Sequence, residues 1–166
     1  MRRLRAWRES DAAAVLAAFS VPEMVRQADE AVDSRESASR WIARRGQEER
    51  AGVAYAFAVV GGDDVPLGNV AVGAVNRVHG TGWVSYWTVP AVRGRGVARF
   101  GCEALARWAF GELGLFRLEL GHRVNNPASC RVAEAAGFAA EGLQRQKLAY
   151  EGVRYDVELH ARLASD

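Results

Sequence analysis

The chain has 166 residues, 49% of them hydrophobic and 25% charged, the mixture of an ordinary folded domain rather than of a disordered segment. Lys and Arg number 22 against 20 Asp and Glu, so a net charge of +2 gives no general attraction to nucleic acid or membrane surfaces, and any anion site has to be local. A single domain over 1–166 is expected; with no apolar run near the roughly 18 residues of a membrane span, and no apolar stretch in Met1–Arg8, the expected location is the cytoplasm.

Leu4–Trp7 reads as a short strand, and Ser10 is placed to cap a first helix over the alanine-rich run that Pro22 interrupts. Asp33, Ser34, Arg35 and Glu36 have the form of a capping box with Asp33 at the cap. The helix it opens carries Ala38, Trp41 and Ile42 on one side, and its charges from Arg35 to Arg50 read as a solvated face. Val53–Val60 alternates large and small apolar residues, as in a strand covered on both faces. Strands through Val70 and Val72 and from Trp83 to Val89 complete an antiparallel meander.

From Gly96 to Leu113 the period changes. Val97, Phe100, Ala104, Leu105 and Trp108 form one face of a helix, with Arg99, Glu103 and Arg107 on its wet side. Leu115–Leu120 is the next strand, Asn126 and Pro127 start a last helix that Gly137 ends, and two strands meet at Glu151 and Gly152. In the final strand Val153, Tyr155, Val157 and Leu159 alternate with Arg154, Asp156, Glu158 and His160, predicting one dry and one wet face. His160 and His79 are accordingly read as solvated. The order β, two helices, three strands, helix, strand, helix, two strands predicts a mixed α/β fold with a mainly antiparallel central sheet flanked by helices.

Cys102 and Cys130 stand in no Cys-x-x-Cys or His–Cys spacing, so neither a disulfide framework nor a metal site is expected. Each thiol reads as a small hydrophobe unless a base stands beside it.

The richest stretch is Val89-Pro-Ala-Val-Arg-Gly-Arg-Gly-Val-Ala98, at the junction of a strand and an amphipathic helix. Gly94 and Gly96 let backbone N–H groups converge at a helix N-terminus, and Arg93, Arg95 and Arg99 add charge, which makes a pyrophosphate cradle. No Gly-Lys-Ser/Thr follows, and Arg99 stands where a dinucleotide fingerprint needs a small residue, so the ligand is another pyrophosphate.

With Arg93, Gly96 and Ala98 in an Arg-x-x-Gly-x-Ala pattern, Tyr86-Trp87 before it, and Asn126-Pro-Ala-Ser129, Gly137-Phe138 and Glu141-Gly142 after it, the chain resembles the GCN5-related N-acetyltransferase (GNAT) family, in its RimJ/RimL-like branch. The resemblance implies acetyl-CoA as co-substrate and direct transfer to a primary amine, either a protein N-terminus or a small molecule. It implies that Val89 offers backbone to the pantetheine arm, that Arg93, Gly94, Arg95, Gly96, Val97 and Ala98 hold the pyrophosphate, and that Asn126 meets the pantetheine. Asn126 is equally a plain helix cap. Ser129 is either a solvated hydroxyl or the donor to the departing thiolate, since Ala133 occupies the slot where many relatives carry a tyrosine. Trp83 and Leu148 stand where relatives carry a basic glutamate, which leaves His122, then Glu119, as candidates to take the amine proton, against the alternative of a strand-end histidine bonded to a loop. A non-catalytic acyl-CoA binding module is the alternative function. No nucleic-acid or membrane partner is expected, and the aromatic content leaves room for a homodimer interface.

Overall fold

In the computed structural model, which describes residues 1–166, the alternation of Val53–Val60 gives strand β2 (Tyr55–Val60), which faces two separate cores. Val59 joins one apolar cluster, and Ala58 and Val60 join the other. The remaining strands are β1 (Arg3–Ala6), β3 (Pro66–Asn76), β4 (Thr81–Thr88), β5 (Arg117–Arg123), β6 (Ala139–Tyr150) and β7 (Val153–Leu163). They form one sheet in the order β1-β2-β3-β4-β5-β7-β6, antiparallel throughout except for the β4–β5 pair. The expected fold class holds.

Helices α1 (Ala12–Ala18) and α2 (Arg35–Ala51) cover one face, where Trp7, Phe19, Trp41 and Trp87 pack as an aromatic cluster with ring centroids 5.1–6.1 Å apart. Helices α3 (Val97–Gly111) and α4 (Pro127–Ala135) cover the other, burying Val70, Val72, Leu105, Leu118, Leu120 and Phe138. Leu105 and Val97 are buried as the periodicity predicts, but the buried stripe of α3 runs through Gly101, Cys102 and Ala109, with Phe100 and Trp108 only half-buried at its edges. Close packing explains the shift: a Cβ on Gly101 would stand 3.1 Å from Val59 Cγ2, so the small residues set how near α3 comes to the sheet.

Two helix starts differ from expectation. Ser10 caps nothing; Asp11 instead accepts from the Arg8 N–H at 2.8 Å and forms a two-armed ion pair with Arg5 at 2.7 and 2.9 Å. The longer acidic side chain serves both the helix start and a buried cation. At α2 the cap is Ser34 rather than Asp33, and Ser37 completes the box, each side chain accepting from the other's backbone N–H. Register of one residue is what a run of adjacent capping residues leaves open.

The β6–β7 hairpin turns at Glu151 and Gly152, both at positive φ, as the two-residue turn requires. The predicted alternation along β7 fails at both ends. Val153 is exposed at the hairpin tip, whereas His160 is fully buried, because α4 and Phe138 cover the face expected to be wet. His79 is exposed as expected. No helix is long and apolar enough to cross a membrane.

Candidate active site

The β4–β5 ladder pairs only Thr81 with Arg117, Gly82 with Leu118 and Trp83 with Glu119. Beyond that the strands run to Thr88 and Arg123 without pairing to each other, so the sheet opens into a wedge. Backbone alternation fixes what the wedge presents. The Val89 N–H donates to Leu67 O at 2.9 Å, and the Trp87 carbonyl faces Gly68, so Val89 and Trp87 turn their backbone toward β3. Tyr86 and Thr88 therefore direct N–H and C=O into the opening. This corrects the expectation for Val89, which lines neither cleft; the free backbone lies one and three residues earlier.

After β4 the chain makes a short turn at Pro90–Val92 and passes through Gly94 and Gly96, each at φ 74°, before α3 begins. In the left-handed region an L side chain costs about 1–2 kcal/mol, so two such positions in three residues favour glycine. No side chain caps α3, which leaves the first-turn N–H groups, including those of Val97 and Ala98, without internal partners. They open onto a cleft of about 540 Å³ lined by Arg93, Gly94, Gly96, Val97, Ala98 and Arg99 on one side and Asn126 and Ser129 on the other. A Cβ on Gly96 would find nothing nearer than Arg2 Nη1 at 3.7 Å, so the loop is an open cradle for a group approaching its backbone.

Arg93 lies in the lining but is tied to Glu23 at 2.9 Å, and Arg99 to Glu103 at 2.7 Å. Arg95 is outside the lining; its N–H donates to Val92 O at 3.4 Å and its carbonyl accepts from Arg2. Two cations unmarked by the loop motif, Arg123 and Arg131, also line the cleft. Their signal was their place at the end of β5 and in α4, legible only once the wedge is known.

Asn126 caps α4 by accepting the Ser129 N–H at 3.2 Å while lining both this cleft and a smaller one of about 360 Å³. Ser129 and Tyr86 also border both clefts. Burial pushes the Tyr86 phenol up to about 12, partly offset by the neighbouring Ser129 hydroxyl, and its buried Oη has no well-formed hydrogen bond. Tyr86 is thus neutral at physiological pH, with an unpartnered hydroxyl at the border of both clefts, a feature that its place in a strand motif does not reveal.

The proposed bases sit differently. His122 borders the smaller cleft, but its Nδ1 is 2.9 Å from Arg123 O and its Nε2 is 3.0 Å from His160 Nε2 and 3.4 Å from Glu158 Oε1. Its Nδ1 is held by a backbone carbonyl and its Nε2 is turned toward His160 and Glu158 beneath α4 rather than toward a substrate in the cleft. Glu119 is bonded to Arg117 at 2.8 Å and lines neither cleft. Glu23 is the one carboxylate in both linings, and its hydrogen bond from Arg93 holds its pKa below the usual range, which makes it a weak base. Cys102 is buried in the core, its thiol pushed up to about 12 by desolvation.

A parallel pair splayed into a wedge, with a glycine cradle at the helix that follows it, is the arrangement that the acyl-CoA motif implies. Residues 2–139 match the family model described as an acetyltransferase (GNAT) domain. The chain belongs to the GNAT acetyltransferase family. Among curated proteins, "Probable N-acetyltransferase YjcK" of Bacillus subtilis is 33% identical over 105 residues, 63% of this chain and 58% of that protein. YdaF of the same organism is 29% identical over 96 residues, 58% of this chain and 52% of its own length. The matches thus span little more than half the length of these curated relatives. Mycobacterium smegmatis RimJ, solved with CoA-disulfide, superposes with a TM-score of 0.88 at 24% identity over 99% of this chain and 82% of RimJ. The ribosomal-protein-S5-alanine acetyltransferase of Vibrio fischeri gives 0.88 at 22% identity over 99% and 94%. At these identities the GNAT fold is what is shared.

Proposed function

We propose that this GNAT domain transfers an acetyl group from acetyl-CoA to a primary amine held in the smaller cleft. The observation that carries the reading is the wedge: β4 at Tyr86 and Thr88, the glycine cradle before α3 and Ser129 all border the larger cleft, which shares Tyr86, Asn126 and Ser129 with the smaller one. The cradle's N–H groups and Arg93, Arg99, Arg123 and Arg131 would take the pyrophosphate, and the open N–H groups of Tyr86 and Thr88 the pantetheine amides and thioester oxygen. Ser129 donates the proton that the departing thiolate needs, and Tyr86, held neutral, resupplies Ser129. The proton that leaves the attacking nitrogen as the tetrahedral intermediate collapses returns through solvent in the open cleft to Tyr86, so the cycle ends with both hydroxyls neutral.

With His122 and Glu119 engaged elsewhere, the amine loses its proton to solvent in the open cleft before attack. The enzyme then contributes proximity and thiolate stabilisation rather than a dedicated base. The smaller cleft carries Arg26, Arg123 and Lys147 against Glu23, which Arg93 already neutralises. That surplus favours an amine next to acidic groups, such as the N-terminus of an acidic peptide, over a polyamine. Thiol release from acetyl-CoA across a panel of peptide N-termini, amino acids and polyamines tests the reading. Turnover with an acidic peptide supports it, and CoA affinity without turnover on any amine returns the domain to a binding module.

A further inference from the structure

Four side chains that the acyl-transfer reading does not use converge beneath α4. His122 on β5 and Glu158 on β7 are direct partners in the antiparallel ladder, His160 lies two residues along β7 on the same face, and Cys130 comes down from α4. Their ligand atoms all lie within 4.8 Å of one another. His160 is completely buried and His122 nearly so, while Cys130 and Glu158 are half-buried, which leaves a path from solvent.

The hydrogen bonds fix the tautomers. A carbonyl oxygen only accepts, so Nδ1 of His122, 2.9 Å from Arg123 O, and Nδ1 of His160, 3.1 Å from Phe138 O, each carry the ring proton. Both Nε2 atoms then present lone pairs, 3.0 Å apart, and both face Glu158 Oε1, at 2.8 Å from His160 and 3.4 Å from His122. Three acceptors converge with no donor among them except the Cys130 thiol, 3.8 Å from the same carboxylate oxygen. Such a set needs a positive charge at its centre, either an added proton or a metal cation. An imidazole whose Nδ1–H is held by a backbone carbonyl, leaving Nε2 free, is the arrangement that orients histidine for metal.

We propose that His122 Nε2, His160 Nε2, Glu158 Oε1 and Cys130 Sγ together bind one divalent transition-metal ion, zinc by preference. Four ligands at zinc bond lengths of about 2.0–2.3 Å stand about 3.3–3.6 Å apart in a tetrahedron, and the separations here bracket that spacing. Two imidazoles, a thiolate and one carboxylate suit a borderline-soft ion rather than calcium or magnesium, which take mainly oxygen. As the Sγ–metal bond forms, the thiol proton leaves to solvent. A single neutralising proton shared between the imidazoles would satisfy the nitrogens and the carboxylate but leaves Cys130 without a role. The ion would pin α4 to β5 and β7 immediately behind Ser129, so its role is to fix that helix rather than to join the chemistry.

The test uses the full chain, stripped with a chelator and titrated with Zn²⁺ or Co²⁺. One equivalent should bind, Co²⁺ should give the absorption of a tetrahedral site with a thiolate-to-metal charge-transfer band, and the thermal midpoint should rise with metal. Cys130→Ala, at a half-buried position that packing tolerates, should abolish the charge-transfer band and weaken Zn²⁺ binding about tenfold or more. His160→Gln should bind none, and the Cys130 variant covers the case in which it does not fold. No saturable binding by the parent chain overturns the proposal. So does a band that survives in Cys130→Ala, or histidine NMR resonances that report a shared imidazole proton and do not move when Zn²⁺ is added.

Discussion

Trp83 and Glu119 are the last partners of the parallel β4–β5 ladder, and the Trp83 ring crosses the wedge just beyond them. A Cβ built on Gly121 would stand 3.1 Å from the Trp83 ring and 2.8 Å from Val157 Cγ1. Gly121 is therefore a hole that the indole fills, and the indole lines the smaller cleft, which is proposed to hold the amine. Gly121→Ala is expected to cost about 1–3 kcal/mol of stability by overpacking and to raise KM for the amine more than KM for acetyl-CoA. Denaturant titration and steady-state kinetics check both, and an unchanged ratio of the two KM values would remove Trp83 from the acceptor side.

The cradle makes a different demand. Gly96→Ala meets no clash in the empty loop, so the protein should fold with a loss of about 1 kcal/mol from the left-handed φ alone. CoA affinity by calorimetry should fall at least tenfold, because on the proposed reading the methyl group stands where the pyrophosphate approaches. Gly111→Ala in α3, a position with open space and ordinary φ, is the control that leaves affinity intact and gains helix propensity.

Ser129 and Tyr86 separate chemistry from stability. Ser129→Ala should reduce kcat about 10²-fold with little change in KM for acetyl-CoA, as expected for a group that acts on the departing thiolate. Tyr86→Phe removes a buried hydroxyl that lacks a well-formed partner, so stability should hold or rise while kcat falls. Loss of stability with full kcat would make Tyr86 a packing residue only.

Near the N-terminus, desolvation of the nearly buried Asp11 works to raise its pKa, but the two-armed bond from Arg5 and the Arg8 N–H outweigh it, and the net shift is downward. A carboxyl lowered in the folded state stabilises above its unfolded pKa and loses that stability as pH falls through the folded value. Asp11→Ala should therefore cost about 1–2 kcal/mol at neutral pH, since Arg5 keeps Asp64 as a partner but loses its two-armed one, and less at pH 3. Parallel losses at both pH values would show that the ion pair is not the source.

What the sequence disclosed and what it hid follow from range. The glycine cradle, the Asn126 cap and the Glu151-Gly152 hairpin are local devices, each encoded within a few residues, and all stand where the pattern placed them. The backbone that faces the wedge depends on a hydrogen bond between Val89 and Leu67, which no local pattern specifies. The histidine cluster was hidden for the same reason: β7 pairs with β5, so residues 122, 158 and 160 meet only through the ladder, and strand alternation took His160 for a solvated residue.

The amine's own ionisation should set the acidic limb of kcat/KM. His122 Nε2 is turned toward His160 and Glu158 rather than the cleft, Glu119 belongs to Arg117, and Glu23 is held ionised by Arg93, so no protein group is placed to receive the proton. Only the neutral fraction of the acceptor then attacks, and that fraction rises tenfold per pH unit until the amine pKa is reached. Acceptors of the same charge type with amine pKa values spread over two or more units should shift the limb one for one with the amine. A peptide α-amine, with a pKa of about 8, should outrun a lysine-type amine of about 10.4 at pH 7 by roughly the ratio of neutral fractions when fit is equal. A limb that stays at one pH for every acceptor would mean that the protein supplies the base after all, and His122→Gln, followed by Glu119→Gln, would then identify it by abolishing that limb.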